Sequence, residues 1–352
     1  MHSTLAAWLH NLDPYAIGPI RWYGLSYLLG FTIAWLLVRR IARAGVTPLK
    51  PVHASDLIVA VAIGIIVGGR LGYVLFYRPD LLWTVYDGLP FWGVLAINEG
   101  GMASHGGMIG GVLACWIFAR RHDPSIPMLH ALDLIAFAAP LGLFFGRIAN
   151  FINGELIGRP APEGLPWAVK FPQEMYDWPR ERLDRLLEQY QRVLGEEGHV
   201  FYRGPYELVD QLIALIQAGD EQAITFVEPL LTPRHPSQLY AALLEGLMVF
   251  LVLLWAWRKP QLPGLIAALF AIVYAVGRIA NEFFRRPDVH IQDAEFAWLN
   301  ITRGQWLSGL LLLVGVWGVW YVHRRGSVPM GGWHRGPWTT QKPSEAKPVR
   351  NR

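Results

Sequence analysis

The stretch LHALDLIAFAAPLGLFFGRIAN, residues 129–150, decides the fold class of this chain. A helix needs about 20 mostly apolar residues to cross the hydrocarbon core of a bilayer, and residues 129–148 meet that requirement. The pentapeptide GRIAN at its end, residues 146–150, recurs at residues 277–281, again near the end of a long apolar segment. An arginine at membrane depth is costly unless it has a partner or a task. Both copies therefore mark candidate functional positions in a membrane protein.

Six other segments have a similar length and apolar character. They are residues 19–38, 57–77, 91–119 (with a glycine-rich break), 239–257, 262–283 and 305–322. The composition agrees, because 53% of the 352 residues are hydrophobic and only 16% are charged, which is typical of polytopic membrane proteins. We predict an all-α polytopic membrane protein with about seven transmembrane helices and a small extracytoplasmic head.

Basic residues show which ends of the spans face the cytoplasm. Arginine and lysine follow the first, third, fifth and seventh spans, and all four junctions lie on one side of the membrane. The positive-inside rule makes that side cytoplasmic, which places the N-terminus outside and the C-terminus inside. No cleaved signal peptide is expected at the N-terminus.

The spans divide the chain into four predicted regions. Residues 1–154 hold spans one to four, and residues 155–237 form the extracytoplasmic head, with helical apolar spacing at residues 177–194 and 206–217. Residues 238–325 hold spans five to seven. Residues 326–352 are polar, basic and rich in proline and glycine, which predicts a disordered cytoplasmic tail.

Five polar side chains, one from each of five spans, are predicted to lie in the outer leaflet. At 1.5 Å per residue, Arg147 lies roughly 27 Å into the fourth span and Arg278 roughly 24 Å into the sixth. Tyr23 lies at the start of the first span, His105 in the outer part of the third, and Arg70 somewhat deeper in the second. Two guanidinium groups suit a phosphate, and an imidazole suits a general base. The pattern therefore favours a site for an anionic lipid headgroup in the outer leaflet.

Neighbouring polar residues strengthen this interpretation of the two arginines. Glu282 follows Arg278 at i+4, and Asn150 and Glu155 follow Arg147 at the end of its span. We expect Glu282 to hold Arg278, and Asn150 and Glu155 to hold Arg147. Alternatives remain at each position: arginines near helix ends can snorkel, a tyrosine there can be an interfacial anchor, and the glycines around His105 suit close helix packing.

Four blocks of sequence resemble the prolipoprotein diacylglyceryl transferase family, in the family's order. They are HGGMIGG at residues 105–111, GRIANFINGELIGR at 146–159, RHPSQLYAALLEG at 234–246 and GRIANEFFRRPD at 277–288. The resemblance implies a multi-pass enzyme of the bacterial plasma membrane that moves the diacylglyceryl group of phosphatidylglycerol to the lipobox cysteine thiol of a lipoprotein signal peptide. One departure is Ala241, where similar sequences often carry a glutamate.

The resemblance also implies roles for individual residues. It implies functional importance for four residues that we predict to be catalytic: Tyr23, His105, Arg278 and Glu282. It implies a phosphatidylglycerol contact for Arg147 and functional importance for three further residues, and we predict that all four bind this lipid: Arg147, Asn150, Glu155 and Gly158. The implied partners are phosphatidylglycerol, the lipobox peptide and the bilayer.

Other functional classes have little support in the sequence. A net charge of +4 is too small to indicate nucleic-acid binding, and no Cys/His metal spacing, P-loop or GxSxG elbow occurs. We therefore expect no metal and no cofactor. The competing hypothesis is a membrane transporter of an anionic solute, since charged residues within spans often line translocation paths.

Overall fold

Long α-helices dominate the computed structural model, which describes residues 7–97, 100–122, 126–194, 204–286 and 302–333. In chain order the α-helices are α1 Trp22–Arg43, α2 His53–Phe76, α3 Ser104–Arg121, α4 Met128–Asn153, α5 Arg180–Leu194, α6 Pro205–Ala218, α7 Glu221–Val227, α8 Ser237–Ala241, α9 Met248–Ala256, α10 Leu265–Glu282 and α11 Arg303–Arg325. A π-helical turn, Ala242–Leu247, joins α8 to α9. The prediction of a helical polytopic protein is confirmed.

Six helices of the described part of the chain are long and apolar enough to cross a membrane: α1, α2, α4, the continuous helix Ser237–Ala256, α10 and α11. The third predicted span, residues 91–119, is not among them. Only its second part is α-helical, as α3, because Gly100 and Gly101, shortly before it, take positive φ angles that an α-helix does not contain. Residues 98 and 99 of this span lie outside the described residues.

The chain divides into two compact units, each built from three separate segments. The first consists of Met1–Leu28, Leu143–Met248 and Tyr274–Leu311. The second consists of Leu29–Gly142, Val249–Val273 and Leu312–Arg352.

Within the second unit, α2 and α3 pack through glycines. A Cβ atom added to Gly68 would meet the backbone of Gly106 and Gly110, and one added to Gly72 would meet the Cα of Gly106 at 2.9 Å. Any larger side chain at these positions would push the helices apart. The glycines that follow His105 in the sequence thus set the distance between the two helices.

Asp133 joins two long helices of the second unit. Its carboxylate accepts hydrogen bonds from the backbone N–H groups of Gly264 (2.7 Å) and Ala267 (2.8 Å), at the start of α10. The first N–H groups of a helix have no partner within the helix, so this buried carboxylate satisfies them from α4.

The segment after α11 also packs within the second unit. Met330 pairs with Gln261 in an isolated β-bridge, and the N–H of Gly331 donates to the carbonyl of Val46 at 2.8 Å. Residues 326–333, the first part of the predicted tail, therefore include backbone groups paired with the rest of this unit. Residues 334–352 of that tail lie outside the described residues.

In the first unit, the predicted head (residues 155–237) has a hydrophobic core of its own. Helices α5, α6 and α7 bury Leu183, Leu186, Leu208, Leu212, Ile216 and Val227 against one another. The helical spacing seen in the sequence is therefore the spacing of a packed core. Residues 195–203, between α5 and α6, are outside the described residues.

Short strands add a small sheet to this helical unit. Strand β1 (Trp8–Leu9) pairs in parallel with β4 (Val169–Lys170), which pairs antiparallel with β5 (Pro233–Arg234). A hairpin of β2 (Tyr15–Ile17) and β3 (Ile20–Arg21) precedes α1. These strands have only two or three residues, too few for a period of two to appear in the sequence.

We expect the docking of β1 to weaken in acid. Burial between Phe151 and Phe171 lowers the pKa of His10 from 6.5 to about 4. In the released segment His10 binds a proton below pH 6.5, whereas in the docked segment it stays neutral down to about pH 4. Protonation therefore favours the released state and removes up to roughly 3 kcal/mol of docking free energy between pH 6.5 and 4. The amide of His10, which donates to the carbonyl of Lys170, should lose its hydrogen-exchange protection over this range.

The matched variant for this measurement is His10→Gln. Its amide protection should be almost independent of pH over the same range. If wild type and variant lost protection in parallel, other groups would be responsible for the acid sensitivity.

Candidate active site

Five charged side chains of the first unit form a connected set of ion pairs, here named the charge cluster: Arg147, Glu245, Arg278, Glu282 and Arg285. The carboxylate of Glu245 lies 2.8 Å from Nη2 of Arg147 and 3.5 Å from Nη1 of Arg278. The carboxylate of Glu282 lies 3.0 Å from Nη1 of Arg278 and 3.8 Å from Nη1 of Arg285. Both carboxylates are buried, so these ion pairs are weakly screened and fix the guanidinium groups.

Glycines bring the helices of the charge cluster close together. A Cβ atom added to Gly246, next to Glu245, would meet the Cα of Phe144 on α4 at 2.8 Å. A Cβ atom added to Gly277, next to Arg278, would meet the carbonyl oxygen of Leu244 at 2.6 Å. Arg147 and Arg278 can therefore reach the same glutamate from opposite helices.

Glu155 lies just beyond the end of α4 and is held by two side-chain amides of that helix. Its carboxylate accepts hydrogen bonds from Nδ2 of Asn150 (3.2 Å) and Nδ2 of Asn153 (3.1 Å), and its N–H donates to the carbonyl of Asn150. Gly154 takes a φ of 68°, which turns the chain back toward the helix. The side chain of Glu155 is exposed and anionic, with its orientation set by neutral donors.

Arg147 has a different partner from the one expected. The sequence predicts that Asn150 and Glu155 hold it, whereas its guanidinium donates a hydrogen bond to Glu245, and Tyr274 also lies within hydrogen-bonding reach. The reason is geometric, because the side-chain amide of Asn150 donates instead to Glu155, which lies beyond the end of α4. For Arg278 the expected contact with Glu282 is present at 3.0 Å.

Gly158 lies where three segments meet. It pairs with Arg285 in an isolated bridge, and its carbonyl accepts from Nη1 of Arg234 at 3.1 Å. A Cβ atom added here would collide with the carbonyl oxygen of His235 and lie 3.0 Å from that of Phe284. No side chain fits without a backbone shift, so this glycine allows the segments after α4 and α10 to approach each other.

We therefore expect Gly158→Ala to lower the free energy of unfolding by about 1 to 3 kcal/mol, because overpacking displaces backbone. Thermal unfolding in lipid nanodiscs would measure this. Gly146→Ala is the control, since a methyl group there meets nothing within 4 Å and alanine favours the helix. Equal melting temperatures for the two variants would contradict the close-approach argument.

Tyr23 lies near the start of α1, in the first unit. Its hydroxyl accepts a hydrogen bond from the hydroxyl of Tyr27 at 3.2 Å, and the two ring centroids are 5.0 Å apart. Electrostatic interaction links Tyr23 to Arg147. The phenol is thus placed next to another phenol one helical turn away, in the same unit as the charge cluster.

His105 is the second residue of α3, in the second unit, and its side chain is exposed. The loop before it is held by Arg70, which donates to the carbonyls of Gly93 (2.6 Å), Val94 (2.8 Å) and Gly100 (2.6 Å). Arg70 is almost fully buried and bonded to backbone. A shared pocket for His105 and Arg147, which belong to different units, stays a prediction.

Sequence reasoning missed several residues around the predicted ones, among them Tyr27, Glu245, Tyr274 and Asn281. Glu245 is the most informative, since Nδ2 of Asn281 also donates to it at 3.1 Å. A signal was available, because Glu245 is the one acidic residue within the apolar segment 239–257, and an acidic residue in a span indicates a partner.

Comparisons with known proteins show which family this chain belongs to. The family model described as prolipoprotein diacylglyceryl transferase matches residues 15–321. A protein of Bdellovibrio bacteriovorus named phosphatidylglycerol–prolipoprotein diacylglyceryl transferase is 46% identical, over 93% of this chain and 97% of its own length. Proteins with the same name from Nitrobacter winogradskyi (38% identical, 90% of each chain) and Rhodospirillum centenum (40% identical, 87% and 90%) are also similar. This chain belongs to the prolipoprotein diacylglyceryl transferase family.

Proposed function

We propose that this protein is a phosphatidylglycerol–prolipoprotein diacylglyceryl transferase. It would transfer the diacylglyceryl group of phosphatidylglycerol to the lipobox cysteine of lipoprotein precursors, the first step of their maturation. The observation that carries the proposal is the charge cluster: two guanidinium groups from the two GRIAN segments flank one buried carboxylate, in a chain that matches the family along most of its length.

The charge cluster suits an anionic phosphodiester. Guanidinium groups bind phosphate oxygens through paired N–H donors, and the charge cluster holds those of Arg147 and Arg278 at one buried carboxylate. In addition, Nε of Arg147 is buried and has no acceptor among the described residues. Buried donors nearly always have a partner, and a phosphate oxygen would supply one.

The bonds that form and break assign roles to the predicted residues. The cysteine sulfur forms a bond to the glycerol carbon of the lipid, and the bond from that carbon to a phosphate oxygen breaks. The electron pair stays on that oxygen, and glycerol phosphate leaves. The thiol proton passes to His105, directly or through Tyr23, since a thiol with a pKa near 8.5 is mostly protonated at neutral pH.

Arg147 and Arg278 would stabilise the leaving phosphate. Its negative charge grows as the C–O bond breaks, so donors already aimed at it lower the barrier, commonly by about 3 kcal/mol for each donor. Glu282 would keep Arg278 oriented through their ion pair at 3.0 Å. Glu155 is anionic and would repel a phosphate, so it would instead accept hydrogen bonds from the hydroxyl groups of the headgroup glycerol, with Asn150 fixing its orientation.

The proposed setting is the bacterial plasma membrane. The relatives are bacterial, and six helices of the described residues can span a bilayer. From the positive-inside rule we infer an outer N-terminus, a cytoplasmic C-terminus and a head on the outer face.

The test is to incubate the purified protein in lipid vesicles with labelled phosphatidylglycerol and a synthetic lipobox peptide. Transfer predicts a heavier peptide that carries the label and releases glycerol phosphate. A peptide with serine in place of the cysteine should remain unmodified. If no labelled peptide formed while vesicles took up an anionic solute, the transporter hypothesis would replace this one.

A further inference from the structure

The carboxylate of Glu245 contacts both arginines of the GRIAN segments. It is fully buried, and its two oxygens contact Arg147 on α4 and Arg278 on α10, with Asn281 as a third donor. A buried carboxylate within an apolar span is unfavourable unless such partners compensate for its charge. Arg147 and Arg278, in turn, contact one carboxylate that belongs to neither of their own helices.

The backbone at Glu245 is unusual as well. The residue lies in the π-helical turn Ala242–Leu247, between the α-helical segments α8 and α9. A π turn inserts one residue and redirects the side chains that follow, and such turns are common at functional sites. In a regular helix the side chain of Glu245 would point in a different direction.

We propose that Glu245 is a positioning residue, which holds Arg147 and Arg278 at the separation that one phosphate group requires. The proposal rests on the function proposed above and deepens it. Glu245 touches neither the lipid nor the thiol in this scheme. It acts through the guanidinium groups, which would otherwise repel each other.

The same carboxylate has an opposite effect on substrate binding. Its negative charge opposes that of the phosphate, so it weakens the binding of the lipid in the ground state. Correct orientation of the arginines matters most in the transition state, when charge builds up on the leaving oxygen. A neutral side chain at this position should therefore retain binding and lose turnover.

The test is a kinetic comparison of Glu245→Gln with wild type, using purified protein in vesicles of phosphatidylglycerol and a lipobox peptide. We expect kcat to fall about 30-fold, because misoriented catalytic groups commonly cost this much. The KM for phosphatidylglycerol should stay the same or fall. Glycerol 3-phosphate, a stand-in for the leaving group, should inhibit the variant at a lower concentration than it inhibits wild type.

Asp133→Asn is the matched control, since it also neutralises a buried carboxylate within a span, but one that caps a helix outside the charge cluster. It should lower the melting temperature and leave the kcat of the folded protein unchanged. If Glu245→Gln merely reproduced this behaviour, or raised KM with kcat retained, the positioning role would be wrong.

Glu245→Asp covers the case in which the glutamine variant does not accumulate. Aspartate keeps the charge but is one methylene shorter, so it cannot reach both arginines. A kcat reduced about tenfold with unchanged KM would support the proposal, and wild-type kinetics would overturn it. The wild-type protein distinguishes failure of the proposed function from failure of this inference. Without transfer by wild type the proposed function is wrong, whereas wild-type kcat and KM in both variants would refute only the role of Glu245.

Discussion

Replacing Arg147 with lysine is expected to slow diacylglyceryl transfer by about 100-fold or more. The charge is kept, but the planar guanidinium uses Nη2 to bind Glu245 and needs its other donors for the phosphate. A lysine ammonium is a compact charge and cannot make both contacts in the same geometry. Initial rates of labelled-lipid transfer to a lipobox peptide, normalised to folded protein, would measure the loss.

Arg286→Lys is the control for this experiment. Arg286 forms an ion pair with Asp177 at 3.0 Å in the same unit, and both side chains are about one-third exposed. Exposed pairs of this kind contribute about 0 to 1 kcal/mol, so transfer should remain near normal. Near-normal transfer by Arg147→Lys as well would mean that bidentate phosphate contact is not what this arginine supplies.

Replacing His105 with glutamine is expected to lower kcat by about 100- to 10,000-fold, the usual contribution of a general base. The pH profile of kcat distinguishes a general base from a residue that only supports the fold. A base must be neutral to accept the thiol proton, so the wild-type rate should fall as acid protonates the imidazole. The variant should lack that acid limb, and its residual rate should rise only as the thiol itself ionises near pH 8.5.

His122→Gln serves as the control for His105. This histidine lies at the opposite end of α3, where Nε2 is 3.5 Å from Asp56. Its replacement should leave both the rate and the pH profile nearly unchanged. If His105→Gln kept the wild-type acid limb, the proton acceptor would be another group, and the role of His105 in the proposed reaction would be wrong.

The length of the apolar segments predicted the long helices well, because a membrane span needs about 20 apolar residues. The fourth span, predicted at residues 129–148, is helical over Met128–Asn153, and the sixth, predicted at 262–283, over Leu265–Glu282. The prediction was wrong for the first part of the third span, because residues 91–97 are as apolar as a span but do not form an α-helix. In the structure, Arg70 ties this segment into a loop through the carbonyls of Gly93 and Val94.

The candidate site was only partly predictable. The arginines stood out because charge is rare in a span, and the resemblance to a family supplied their roles. The partner of Arg147 could not be found by spacing, since Glu245 lies 98 residues away in the sequence and a π turn sets its direction. Similar sequences often carry a glutamate at the position of Ala241, and the buried glutamate of this chain, Glu245, lies one helical turn later.

The glycine contact between α2 and α3 constrains how a lipid can travel. At Gly72 and Gly106 the two main chains are so close that an added carbon on either would lie about 3 Å from the other. A hydrocarbon tail is wider than this gap. Neither the phospholipid substrate nor a product that carries a diacylglyceryl group can therefore pass laterally between α2 and α3 at this contact. Substrate traffic must use another side of the protein.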